Sequence, residues 1–397
     1  PARKGSKGVP SKNSKLIDAD GNFIYSKLPM EMYWHQIQIT GKTGSGKTVA
    51  SKYLAQHFIE NKIEISTGDK IEGCVLAINV KDTDFLTMDK GSEKLNDEIK
   101  KEWDSLKLSP KGIDNYKIYF NASDNQNVLY KMGVNEDFCE KITLDAKTIE
   151  PESLLAIIQS LTEIQQQHLP DIFRFWQIDN KNNQVDYHDF LVWFEDRRTN
   201  YIGVFFTIDI TGRQSETTLH AATSASISTK LRHASSYFNQ INTKTHTQYK
   251  ELTEKDILEP GKLSVINVAS DIDFGSIILR HILKRIVKAK DEGDDIPILI
   301  IIDEVHQFYK SNLSKDALGE LDTICRVGRS KKIGIIFSSQ NEDDLPKGVT
   351  NVVNTKLYFK TDNIKKNYFG VNQREIQSLK SGYGVGMIHG MPNLNVF

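Results

Sequence analysis

The sequence predicts an α/β fold with a mostly parallel central sheet, helices packed around it and a helical subdomain inserted into it. Three observations carry that prediction. Short apolar runs recur from residue 36 to residue 360, separated by segments of helical periodicity, the pattern of strands joined by crossover helices. Two of these runs, 74–80 and 298–302, are apolar almost throughout and read as buried strands. Between about residues 150 and 200 the pattern becomes helical and aromatic.

Residues 1–35 are short polar segments, with a turn at 18–22 that predicts a hairpin before Phe23. The alternating 36–40 (QIQIT) predicts a strand that runs into a glycine-rich loop, and 49–60 an amphipathic helix after it. A strand is expected at 74–80, an exposed helix at 93–106 and a short strand at 116–120. A helix over 151–168 opens on Pro151 and Glu152, residues suited to a first turn. The core is then expected to resume with a strand at 204–210 and a helix at 221–231. Strands at 263–268, 298–302, 333–338 and 356–360 follow, with a helix over 277–287. This reading divides the chain into an N-terminal extension (1–35), a core (36–120 and 200–397) and a mostly helical insertion (121–199).

The chain of 397 residues is 39% hydrophobic and 26% charged, ordinary for a soluble globular protein. No apolar run approaches the roughly 20 residues that span a bilayer, and the basic, polar residues 1–15 lack a signal-peptide core. Cys74, Cys139 and Cys325 are widely spaced, which argues against a disulfide framework or a zinc site and points to a reducing cytoplasm. A net charge of −1 argues against a broad nucleic-acid-wrapping surface. A pore lined by a few cations is compatible with it.

Gly41, Lys42, Thr43, Gly44, Ser45, Gly46, Lys47 and Thr48 fit G-x-x-x-x-G-K-[ST]. Glycines let backbone N–H groups turn inward around a phosphate where a β-carbon would clash, and the following helix points its positive end at the same anion. Lys47 is expected to bridge the β- and γ-phosphates of ATP and the Thr48 hydroxyl to ligate Mg²⁺. Coincidence yields the pattern in roughly one chain of this length in a hundred; here it also lies between a strand and a helix, as the mechanism requires.

The strand at 298–302 ends in Asp303 and Glu304, at the carboxyl edge where ligands of parallel sheets bind. Asp303 then holds the Mg²⁺ hydration shell and Glu304 polarises the attacking water. An acidic turn would look the same in isolation; the phosphate loop upstream decides between them. Gln340 ends the strand that begins at Ile333 and is expected near the γ-phosphate if that strand adjoins the loop strand. Arg329 and Arg326 precede it, and an arginine lent by a neighbouring subunit stabilises γ-phosphate charge in ring ATPases.

These segments resemble the HerA/FtsK group, HerA-like ATPases in particular. The resemblance rests on ITGKTGSGKT, VLAINVKDTDF, LEPGKLSVINV leading to ILIIIDEVHQF, RVGRSKKIGIIFSSQNEDDLP and the closing GYGVGMIHG. It covers roughly residues 36–80 and 205–390. It implies a RecA-like P-loop NTPase core, a hexameric ring, ATP at subunit interfaces, duplex DNA in the pore, and a motor of the DNA translocase or helicase type. It assigns Lys47 and Thr48 to nucleotide and Mg²⁺, Glu304 to water and Arg329 to a neighbour's ATP. HerA proteins usually carry a β-barrel before the loop; residues 1–35 hold at most a remnant, which leaves the docking of a partner nuclease in question. Lys81, Lys230 and Arg232 are candidate DNA contacts because they adjoin strands whose loops face a pore in such a ring.

Other features carry no site. Residues 179–184 look like a calcium loop but lack its glycine, and Phe190 stands where a bidentate Glu is needed. Trp176, Trp193 and Phe194 read as the core of the insertion. The competing function is an ATP-dependent assembly switch that acts on a protein partner without DNA. A small-molecule kinase has no use for Glu304.

Overall fold

The structure, a computed structural model, describes residues 2–4, 25–26, 28–81, 83–92, 97–105, 109–125, 127–158, 161–238, 249–309, 321, 323–345, 347–362, 373–391 and 395–396. The hairpin expected around 18–22 and the ends of the helix expected at 93–106 lie outside the described residues.

In chain order the strands are β1 (Ala2–Lys4), β2 (Tyr25–Ser26), β3 (Ile37–Thr40), β4 (Lys62–Glu64), β5 (Lys70–Glu72), β6 (Cys74–Asn79), β7 (Tyr116–Asn121), β8 (Cys139–Thr143), β9 (Val204–Ile208), β10 (Gln214–Thr218), β11 (Lys250–Glu251), β12 (Leu263–Asn267), β13 (Ile298–Ile302), β14 (Ile333–Ser339), β15 (Thr355–Phe359), β16 (Gly384–Met387) and β17 (Asn395–Val396). The helices used below are α1 (Lys47–Glu60), α2 (Asp97–Ser105), α3 (Asn127–Lys131), α4 (Ser153–Ile157), α5 (Glu163–Asp179), α6 (Tyr187–Asn200), α7 (Ala221–His233), α8 (Glu254–Ile257) and α9 (Ile272–Asp291).

One sheet of 13 strands runs β11-β8-β7-β12-β6-β13-β14-β3-β15-β16-β17-β1-β2. From β11 to β15 every pairing is parallel; β16, β17, β1 and β2 extend it antiparallel. The centre is covered on both faces, which is why its strands are apolar without alternation. In β13, Ile298, Ile300 and Ile302 enter the core shared with α9, while Leu299 and Ile301 enter the opposite core with Leu54 and Phe58 of α1. Asp271 caps α9, accepting from the Phe274 N–H at 2.9 Å, which meets an N–H that the helix itself leaves open.

Three expectations about organisation are corrected. Cys139–Thr143, assigned to the helical insertion, is β8 and pairs into the main sheet beside β7. The strand expected to resume the core at 204–210 is β9, which among the described residues pairs only with β10 in a separate antiparallel hairpin. The single helix expected over 151–168 is two, α4 and α5, because Thr162 accepts from Gln165 N–H and Gln165 answers at Thr162 N–H, a capping box that starts a new helix. Of the aromatic cluster, Trp176 and Phe194 are buried as expected, while Trp193 is half-buried and packs against them from the rim. They share one contiguous core with α9 and one face of the sheet, so the helices are not separately cored.

Candidate active site

The loop after β3 is shaped by its glycines. Gly44 and Gly46 have φ of 75° and 116°, a region that side chains avoid. A β-carbon on Gly41 would lie 2.6 Å from Ser45 Oγ and 2.7 Å from Phe359 Cβ. The loop hangs between two neighbours of β3: Gly41 N–H donates to the Ser339 carbonyl at 3.1 Å and Lys42 N–H to the Lys360 carbonyl at 2.8 Å. Within it, Lys47 is only 5% exposed. Its Nζ donates to the Gly41 carbonyl at 2.6 Å and the Lys42 carbonyl at 3.4 Å. Burial pushes its pKa down, and the nearby carboxylates of Glu304 and Asp303 push it back up. A buried cation curled inside a ring of backbone is costly unless an anion compensates it. The buried Ser45 hydroxyl, without a hydrogen-bond partner among the described residues, is a second group that a phosphate oxygen would satisfy. The residues fit a bound phosphate chain.

The acids stand two strands away. β14 lies between β3 and β13, so the carboxyl ends of all three adjoin. Asp303 and Glu304 are buried. Asp303 Oδ1 accepts from Glu304 N–H at 3.0 Å. Glu304 holds a φ of 43°, a left-handed conformation that turns its side chain across β14 at a cost in strain. There Gln340 Nε2 donates to both carboxylate oxygens at 3.3 Å, and His306 Nδ1 lies 3.3 Å from Oε2. Thus Lys47, Asp303, Glu304 and Gln340, predicted from separate segments, share one end of the sheet.

The remaining predicted residues fall elsewhere or differently. Arg326 and Arg329 are exposed and precede β14, at the end of the sheet opposite Gln340. Seven residues of strand place Arg329 roughly 20 Å from its own chain's loop. It is near His35, which precedes β3; burial first, then His389 and Arg329, hold that imidazole's pKa down. Lys81, expected to face DNA, follows β6 at the loop end and is close enough to depress the Lys47 pKa. Lys230 and Arg232 sit on α7, beside the helical insertion and not at a core-strand loop. Lys230 Nζ donates to Gln165 Oε1 at 3.2 Å, and Arg232 pairs with Glu195 at 3.5 Å. Both cations are engaged within this region.

Sequence reasoning missed four neighbours of the loop. Thr48 Oγ1 donates to Asp84 Oδ2 at 3.5 Å; the signal was an acid just past the carboxyl end of a buried strand. Lys42 forms an ion pair with Asp362. Ser381 Oγ donates to the Gly44 carbonyl at 2.5 Å and Gly382 N–H to the Ser45 carbonyl at 2.8 Å. No local pattern announces contacts that span most of the chain.

The HerA helicase central domain ("Helicase HerA, central domain") matches residues 21–286, about two thirds of the chain. The DNA double-strand break repair helicase HerA of Saccharolobus solfataricus is 28% identical over 121 residues, 28% of this chain and 24% of that protein. That of Sulfolobus acidocaldarius is 29% identical over 108 residues, 25% and 22% respectively. The matched stretch thus spans about a quarter of these relatives. Among solved structures, plasmid coupling protein TrwB bound to a GTP analogue is similar with a TM-score of 0.56 at 12% identity, over 99% of this chain and 89% of that one. VirB4 of Thermoanaerobacter pseudethanolicus has a TM-score of 0.54 at 11% identity, over 98% and 97%. Both likenesses bear out the RecA-like P-loop NTPase fold expected from the sequence. With a family match over most of its length and that fold, the chain belongs to the HerA helicase central-domain family.

Proposed function

We propose that this chain is a magnesium-dependent ATPase that drives DNA translocation, working as a ring of identical subunits, hexameric by resemblance, on duplex DNA. The observation that carries the ATPase reading is the convergence of Lys47, Asp303, Glu304 and Gln340 at the carboxyl ends of the adjacent β3, β13 and β14. The DNA reading draws on the family, whose relatives above are named as DNA break-repair helicases.

Residues 41–48 wrap the phosphates with backbone N–H groups, and Lys47 places its charge on the terminal ones. Among the described residues no group of three His, Cys, Asp or Glu side chains forms a cage for a metal. Mg²⁺ takes most of its ligands from phosphate and water, and here would take Thr48 and Asp303 from the protein. When bound, the ion offsets phosphate charge. Glu304 accepts a proton from the attacking water, Gln340 fixes the direction of that carboxylate, and Asp84 orients the Thr48 hydroxyl. Arg329, too far from its own loop, serves the site of the next subunit; Arg326 is the weaker candidate for that role. Lys81 belongs with the nucleotide, not the pore. The motor core is read as the main sheet with α1 and α9, and α4–α7 with the β9–β10 hairpin as the insertion.

The test is steady-state ATP hydrolysis with and without linear duplex DNA, with Glu304→Gln as the blank. That variant should bind ATP and turn it over about 10²–10⁴-fold more slowly, the range for loss of a general base. Stimulation by DNA supports the motor. The near-zero net charge favours a second reading, a nucleotide-driven assembly switch, and hydrolysis indifferent to DNA would select it.

A further inference from the structure

We propose that Val49 and Tyr383 form the platform that holds the base of the nucleotide, and that the site therefore selects purine nucleoside triphosphates by stacking area. The proposal rests on the ATPase reading above and names the part of the substrate which that reading leaves unplaced.

The sheet gives the nucleotide a direction. β3 has β14 on one side and β15 on the other. The acids and Gln340 lie on the β14 side, so terminal phosphates point there and the nucleoside lies toward β15 and β16. On that side residues 379–384 cross the loop as a strap. Ser381 and Gly382 hold the carbonyls of Gly44 and Ser45. The approach is close: a β-carbon on Gly46 would lie 3.2 Å from Gly382 Cα. Gly382 itself has a φ of 86°, the left-handed turn that lets its N–H face the loop. The floor beneath both is Phe359, which a β-carbon on Gly41, Gly46 or Gly384 would meet at 2.7, 3.4 or 3.2 Å.

Two apolar side chains flank this crossing and remain in solvent. Val49 is 70% exposed and Tyr383 43% exposed, and of the large exposed apolar side chains among the described residues these two adjoin the loop. Val49 follows Gly46 by three residues at the start of α1, one turn above it on the same face. Tyr383 follows Gly382, which touches Gly46. Both exposed side chains thus belong to residues within three positions of one backbone contact at the loop. An aromatic ring and a branched aliphatic left exposed there suit a flat apolar ligand, and the base attached to that phosphate chain is such a ligand. Stacking reads the area of a base and not its edge, so ATP and GTP should bind alike and CTP more weakly.

Titration calorimetry of the full chain with ATP, CTP and inorganic tripolyphosphate, each with Mg²⁺, tests this. Tyr383→Ala should weaken ATP about 5- to 140-fold, the range for loss of one base–aromatic stack. It should leave tripolyphosphate unchanged and shrink the gap between ATP and CTP, while Tyr383→Phe keeps ATP affinity within about twofold. Unaltered ATP affinity in Tyr383→Ala overturns the proposal. Equal losses for ATP and tripolyphosphate also overturn it, since the strap would then be shaping the loop and not holding a base. If the unaltered chain binds tripolyphosphate but shows no preference for ATP over it, the base platform fails while the phosphate site stands. If it binds neither, the ATPase reading fails and the platform with it.

Discussion

Gln340→Ala removes the amide that donates to both oxygens of the Glu304 carboxylate at 3.3 Å. A hydrogen bond to a charged acceptor contributes about 1.5–3 kcal/mol at good geometry. Both contacts here are long and share one nitrogen, which places the loss near about 1.5 kcal/mol. Glu304 has little else to fix its direction. Its φ of 43° stores strain on the order of 1 kcal/mol or more, and His306 Nδ1, 3.3 Å from Oε2, draws the freed carboxylate aside. A barrier raised by about 1.4 kcal/mol is a tenfold loss of rate, so kcat should fall about tenfold. KM for ATP should hardly move, because the loop is untouched. The assay is kcat and KM for Gln340→Ala, Glu304→Gln and the double variant. If Gln340 acts through Glu304, the double variant should match Glu304→Gln alone within about twofold, since coupled residues are not additive. Losses that multiply in the double variant, or an effect confined to KM, would refute this reasoning and place Gln340 against the phosphates instead.

Three other outcomes are expected. Arg329→Ala should keep ATP affinity and lose turnover, and mixing it with Lys47→Ala subunits should recover part of the activity, because in a mixed ring some intact loops face an intact arginine; no recovery at any ratio would argue that Arg329 does not serve a neighbour. Ile300→Ala empties a fully buried position at the centre of β13 and should cost about 2–5 kcal/mol, read as a lower midpoint in urea; a change under about 1 kcal/mol would mean that the sheet closes around the gap. Glu195, hydrogen-bonded by Arg198 above all and then by Ser228, has its pKa drawn from 4.5 to about 2. A carboxyl depressed by folding adds stability that is present above its unfolded value and lost as pH falls toward the folded one, so Arg198→Ala should move acid unfolding to higher pH, and an unmoved acid limb would count against the pair.

What the sequence made legible was local. The loop, the helix after it and the acids closing β13 each lie within one short segment, and their spacing alone carries the chemistry. Sheet membership was not local. Val204–Ile208 and Cys139–Thr143 are both short and partly apolar, yet one forms a detached hairpin and the other joins the main sheet. That choice is made by partner strands, not by either segment's own pattern. The same holds for Lys81, whose neighbour Lys47 is 34 positions earlier in the chain, and for Asp84 at the Thr48 hydroxyl. Arg329 was recognisable as an arginine of interest, but only the direction of β14 shows that it faces away from its own loop.

The strap over the loop has a consequence for how the protein is made. Ser381 and Gly44 are 337 residues apart, so a ribosome adding about 5–20 residues per second delivers the second partner roughly 15–70 s after the first. Through that interval the loop lacks the contacts to Ser381 and Gly382 that hold its backbone, as well as the Asp303, Glu304 and Gln340 side chains. Contacts so distant in sequence are also among the slowest to close. An unfinished chain therefore has its phosphate-binding residues early and the partners that brace them late.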